Sequence, residues 1–115
     1  MQYALLIYGD EAPSAQMTKA EGDALMAAYF AFGEQFKQQI VGGEALMPTN
    51  SATTVRLREG KALTTDGPFA ETKEQLGGFY LINVAHLDEA IEIAAHIPGA
   101  ADGCIEVRPV MTFDS

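Results

Sequence analysis

In this 115-residue chain, the stretch from Thr64 to Glu74 comes closest to a reactive constellation. Within it runs Asp66-Gly67-Pro68-Phe69. Gly67 precedes a proline, which pushes its backbone out of the helical region. Pro68 fixes its own φ and donates no hydrogen bond. The four residues therefore form a stiff turn that holds a carboxylate and an aromatic ring in set directions. A carboxylate partly desolvated beside an apolar ring suits general acid–base work, so Asp66 is the candidate acid or base and Phe69 a candidate pocket wall. The competing reading is structural: Asp66 caps the turn through backbone N–H groups while Phe69 fills the core.

Charged residues surround this turn. Glu71, Lys73 and Glu74 follow it, and in an extended segment Glu71 and Lys73 share a face. Lys73 between acids either holds a ligand anion or pairs with its neighbours at the surface. Arg56 and Arg58 lie two apart on one strand face, and Arg108 sits on another strand. Their guanidinium groups suit a carboxylate ligand or an ion pair with one of the chain's many acids. Glu71, Lys73, Arg56, Phe69 and Arg108 are thus the candidate ligand contacts. Tyr3, Tyr8, Tyr29 and Tyr80 read as core or interface bodies with a wet tip. His86 and His96 are ten residues apart and Cys104 has no histidine near it in sequence. No spacing fits zinc or non-haem iron, and no nucleophile elbow is present; neither a metal nor a cofactor is expected.

The elements that must position these residues follow from periodicity. Residues 2–8 are apolar and β-prone, and Gly9 to Pro13 stops them. Residues 18–41 predict a long helix, with Leu25, Tyr29, Phe32, Phe36 and Ile40 on one stripe, a Thr18/Glu21 capping box, and Gly42-Gly43 as the stop. A short strand is expected over 44–47. The runs 53–58 and 61–65 around Glu59-Gly60 predict a hairpin. Residues 66–78 read as a loop and 79–84 as a strand. A helix is expected from Leu87 to His96, with Leu87, Ala90, Ile91 and Ala94 on its inner face. The last strand runs over 105–110, where Pro109 argues for an edge or an end. With the hairpin removed, the order β-α-β-β-α-β is ferredoxin-like, an α+β fold on an antiparallel sheet. Helices cover one face of such a sheet, and a second copy of the same sheet is the economical cover for the other, giving a two-fold homodimer.

Composition narrows the function classes. One domain spanning 1–115 is expected, and apolar residues at 48% give it a core. The net charge of -9 is spread along the chain and repels nucleic-acid phosphates and anionic membranes, so neither is an expected partner. A single cysteine forms no intrachain disulfide. The N-terminus lacks the basic start and long apolar run of a signal peptide, so a cytoplasmic location is expected.

The string Thr65 to Glu74, followed by Leu76-Gly77-Gly78-Phe79-Tyr80, resembles the signature of the YCII-related proteins of the DGPF type. The opening Tyr3 to Tyr8 and the closing Ile105 to Pro109 are similar to the ends of that family. The resemblance implies a dimeric α+β barrel of ferredoxin-like subunits in bacterial, cytosolic proteins. It also implies relatives that act on ring compounds in a barrel pocket without a metal. Some proteins of this type are associated with extracytoplasmic-function sigma factors. Two functions are therefore open: binding or converting a small organic molecule, or a regulatory module serving a sigma factor. Other YCII proteins are thought to use a histidine–aspartate pair with the histidine on the first helix. Residues 18–41 contain no histidine, so that dyad does not carry over, and Asp66 would have to act in a different constellation.

Overall fold

The computed structural model describes residues 1–113. Strand β1 (Gln2–Gly9) leads through a short helix α1 (Glu11–Ala15) into the long helix α2 (Lys19–Gln35). Strand β2 (Ile40–Ala45) follows, and a 3₁₀ turn leads into the hairpin strands β3 (Thr53–Arg58) and β4 (Lys61–Asp66). The chain then forms β5 (Gln75–Asn83), helix α3 (Leu87–Ala95), a second 3₁₀ turn at Pro98–Ala100, and β6 (Cys104–Pro109).

Four strands make an antiparallel sheet in the order β2-β5-β1-β6, with β3 and β4 in a separate two-stranded sheet. Leaving out the hairpin, this is the ferredoxin-like arrangement that the element order implies. Pro109 closes β6 at an edge, as expected, because an edge strand tolerates the missing N–H.

The helix layer packs on one sheet face. Tyr3 and Leu5 of β1 and Ile82 of β5 meet Phe32 of α2 and Ala90, Ile93 and Ala94 of α3 in one buried cluster with Val84 and Ile97. Leu5, Ile82, Ile93 and Ile97 are fully buried, each burial stabilising by about 1.5–3 kcal/mol. The register puts Ala4, Leu6 and Tyr8 of β1 beside Leu81 and Phe79 of β5 on the opposite face, which no element among the described residues covers.

Three expectations change. The helix ends at Gln35 rather than 41, because Ile40 pairs with Ile82 and the Asn83 N–H donates to the Gln39 carbonyl at 2.8 Å. Ladder hydrogen bonds to a central strand win over continuation of the helix, and Gly42-Gly43 lies inside β2 instead of ending a helix. The loop is shorter than 66–78, since β5 already begins at Gln75. On α3 the inner face is Ala90, Ile93 and Ala94, whereas Leu87 and Ile91 are about half exposed.

The hairpin stands away from this core. Val55 is 63% exposed, Leu57 66% and Leu63 52%. The molecule is a plate of 48 × 46 × 18 Å with a radius of gyration of 16.2 Å, where a compact chain of this length has about 13 Å. Its accessible surface is 8381 Å², against about 6,100 Å² for a compact monomer of 12.3 kDa.

Candidate functional site

An open cleft of about 1200 Å³ lies where the start of α2, the C-terminal half of β1 and the first half of β5 converge. Helix α2 begins there under a capping box. Thr18 Oγ1 accepts from the Glu21 N–H and Glu21 Oε1 accepts from the Thr18 N–H, both at 3.1 Å. This pins the helix so that Leu25, Tyr29 and Phe32 face the sheet one turn after another. Phe32 is buried and its ring lies 5.0 Å from that of Tyr80, fixing the second tyrosine against the first helix stripe.

Two glycines make room for these rings. Gly43 has φ +150°, and a Cβ there would meet the Phe79 carbonyl oxygen at 2.5 Å and the Tyr80 ring at 3.0 Å. A Cβ on Gly99 would stand 2.8 Å from the Tyr29 hydroxyl. Only residues without a side chain let β2 and the Pro98–Ala100 turn come this close to the tyrosines.

Both tyrosines are half-buried cleft residues. Burial pushes the Tyr29 hydroxyl above its ordinary pKa, with the Gly99 backbone N–H acting weakly in the opposite sense. Burial also raises Tyr80, and the neighbouring Tyr29 adds to the shift. Both remain protonated donors across the ordinary pH range. The cleft therefore presents two neutral O–H groups beside an apolar wall that includes Ile7, Met17 and Leu25.

Several carboxylates around the cleft already have structural work. Asp10 Oδ1 accepts from the Ala12 N–H and starts α1. Glu11 accepts from the Thr49 N–H at 2.9 Å and from the Thr49 hydroxyl at 2.6 Å, tying α1 to the root of the hairpin. Glu21 is held by Thr18, which lowers its pKa. Glu44, Glu74 and Asp102 complete the acidic rim, with Lys73 as its cation.

The residues singled out from the sequence are dispersed. Asp66 ends β4 opposite Thr53, open to solvent and outside the cleft. The turn that follows is stiff as anticipated: Gly67 has φ +94°, its N–H donates to the Ala52 carbonyl at 2.7 Å, and its carbonyl accepts from Thr54 Oγ1. Phe69 is 81% exposed rather than packed in the core, and it borders a smaller hollow of about 580 Å³ with Tyr8, Lys73 and Cys104. Glu71 is exposed on the loop. Arg56 lies on the hairpin, and Arg108 pairs with Glu106 on the uncovered sheet face, where the Tyr8 hydroxyl donates to the same carboxylate. Of these candidates, Lys73 alone reaches the large cleft. The histidines both have structural partners: His86 Nδ1 accepts from the Glu89 N–H at the start of α3, and His96 contacts the Glu92 carbonyl and the Phe36 ring.

A chain with this fold, and with glycine-lined room between its helices and its sheet, falls among small ferredoxin-like α+β proteins that carry a pocket beside the sheet. More narrowly, the sequence pattern of the YCII-related domain matches residues 1–114, and the chain belongs to that family. It is 40% identical over 117 residues to an uncharacterized protein of Rhizobium meliloti strain 1021, covering 98% of this chain and 94% of the relative. Among solved structures it is similar to 5-chloro-2-hydroxyhydroquinone dehydrochlorinase from Burkholderia phenoliruptrix AC1100, in complex with 2,5-dihydroxybenzoquinone. That likeness has a TM-score of 0.56 at 18% identity and covers 96% of this chain and 94% of the other. It establishes the shared fold. Among the described residues no helix is long and apolar enough to cross a membrane.

Proposed function

We propose that this YCII-related protein binds a small, flat, oxygen-substituted organic molecule in the cleft between α2 and the sheet, and works on it by acid–base chemistry with its own side chains. The observation that carries this reading is the pair of half-buried hydroxyls, Tyr29 and Tyr80, in a cleft of about 1200 Å³. A neutral phenol in partly desolvated surroundings is a good donor to a carbonyl or phenolate oxygen, and it can give up and recover a proton as charge moves on the ligand. The apolar wall formed by Ile7, Met17 and Leu25 accepts the ring face. Lys73 at the rim balances an anionic substituent. The quinone held by the dehydrochlorinase of the same fold is a ligand of this chemical kind.

The working form in this reading is a homodimer, with the uncovered sheet face around Leu6, Phe79 and Leu81 set against a second copy. Any contribution of Asp66, Arg56 and Phe69 then falls where the two copies meet.

The test is titration with a series of hydroxyquinones and hydroquinones, followed by calorimetry. The expected result is saturable binding that weakens about tenfold in Tyr29→Phe and in Tyr80→Phe, since each variant loses one hydrogen bond to a polar ligand atom. Both variants keep the wild-type circular dichroism spectrum. Binding that is unchanged in both variants would sink the proposal.

A further inference from the structure

The β3–β4 hairpin has no cover among the described residues of its own chain. Its register sorts the side chains onto two faces. Val55 and Leu57 share one face with Ala62 and Thr64, while Arg56 and Arg58 share the other with Lys61 and Leu63. The aliphatic groups on the first face are about two-thirds exposed. A two-stranded ribbon by itself is at best marginally stable in water, and both of its outer edges are unpaired among the described residues.

Charge separates the hairpin from the rest of the molecule. Residues 53–66 carry three cations and two acids, whereas the remaining residues carry four cations and fourteen acids, so a chain of net charge -9 bears one slightly positive arm on a strongly negative body. The body thus attracts such an arm and repels another body. Area argues the same way. The accessible surface of 8381 Å² exceeds that of a compact monomer by about 2,300 Å², and each partner of a large obligate dimer buries surface on that scale.

We propose that the β3–β4 hairpin is an intersubunit arm. It docks on the body of a second copy of this chain through the face that carries Val55 and Leu57, while the long side chains of Arg56, Arg58 and Lys61, rooted on the other face, reach that copy's carboxylates around the rim of the contact. The inference rests on the dimer reading above and specifies what holds the dimer together. It also gives Asp66 a place: the residue ends the strand that carries the arm back from the second copy.

Two measurements on the full chain test it. First, a 1:1 mixture of ¹⁴N- and ¹⁵N-labelled protein is treated with a zero-length carbodiimide and digested. Cross-linked peptides joining Lys61 to a carboxylate should include pairs with one light and one heavy partner. Second, sedimentation velocity compares wild type, the double variant Val55→Asp/Leu57→Asp, and Leu6→Asp on the open sheet face. The arm variant should raise the dimer dissociation constant at least a hundredfold while its circular dichroism stays that of the wild type. A wild-type dimer in which Lys61 cross-links only within one copy, and in which Val55→Asp/Leu57→Asp dimerises like wild type, overturns the arm. In that case loss of the dimer in Leu6→Asp still leaves the sheet-to-sheet dimer standing. A wild-type monomer at roughly 100 μM, a thousandfold above a submicromolar dissociation constant, overturns both.

Discussion

The contact between Gly99 and Tyr29 lends itself to a quantitative test of how the cleft is built. In Gly99→Ala the new methyl group falls 2.8 Å from the Tyr29 oxygen and 3.1 Å from Ile7 Cγ2. The hydroxyl must retreat by roughly 0.6 Å to regain an ordinary contact. Overpacking of this kind costs about 1–3 kcal/mol. An opposing effect comes from the unfolded chain, where alanine has less backbone freedom than glycine and favours folding by about 0.4–1 kcal/mol. The collision outweighs that entropic gain, so Gly99→Ala should destabilise by about 1 kcal/mol.

Tyr29→Phe removes the oxygen that collides. On its own it should cost no more than about 1 kcal/mol, since it removes one half-buried hydroxyl. In that background the alanine methyl meets only Ile7, and the entropic gain offsets most of the remaining strain. Adding Gly99→Ala to Tyr29→Phe should then be close to neutral, which gives a coupling of about 1 kcal/mol between the two sites. The assay is equilibrium urea unfolding of the four proteins at one fixed concentration, which holds any mass-action contribution constant. Energies that add to within about 0.3–0.5 kcal/mol, the range for independent sites, would refute the contact and with it the claim that Gly99 sets the position of Tyr29.

Two further outcomes follow from the packing and the electrostatics. Both tyrosines are raised above 10.0 in the folded state, so the folded chain holds protons that the unfolded chain releases. Stability is fully present below the unfolded tyrosine pKa and declines as pH rises through about 10 toward the folded values; Tyr80→Phe should flatten that decline in urea unfolding between about pH 9 and 11, and an unchanged slope counts against a buried phenol. On α3, Ile93→Ala should cost about 3 kcal/mol and Ile91→Ala under about 1 kcal/mol, since Ile93 is 2% exposed and Ile91 50% exposed; equal losses by thermal unfolding would show that the inner face lies elsewhere on the helix.

The parts of the fold that are legible from residues alone are those fixed by local chemistry. The Thr18/Glu21 pair spaces two donors and two acceptors within one turn, and the capping box forms as that spacing requires. Glu59-Gly60 between two β-prone runs closes a hairpin, with positive φ at both turn residues. What is not legible depends on partners distant in sequence. Ile40 fits the helical stripe of Tyr29, Phe32 and Phe36, yet Ile82 takes it into the sheet. Ile91 and Ile93 are both reasonable inward residues on α3, and the sheet selects the second. Helix α1 hides behind Pro13, which signals a break, but proline in a first turn gives up an N–H that would have had no helical partner anyway. Tyr29 and Tyr80 are visible as residues and invisible as a pair, because they lie 51 positions apart and the groups that bring them together are two glycines and a phenylalanine.

The contrast between the motif and the cleft has a physical basis. A motif of consecutive residues can specify a turn, and Asp66 to Phe69 does so: the bonds from Gly67 to Ala52 and Thr54 lock the root of the hairpin. Gln75 Nε2 donates to the carbonyls of Ala70 and Thr72 just beyond it, so the return path is fixed as well. Such a device sets the direction in which an arm leaves a body and rejoins it. Enclosing a ligand needs walls from separate elements, and those of the large cleft come mostly from α1, α2, β1, β2 and β5, with Lys73 and Glu74 from the end of the motif. Glu11 links the two, with its carboxylate holding Thr49 at the hairpin root while its helix borders the cleft. An arm seated on a second copy therefore bears, through Thr49 and Glu11, on the same short helix that flanks the tyrosine cleft, and this is the route by which the motif and the cleft would share one function.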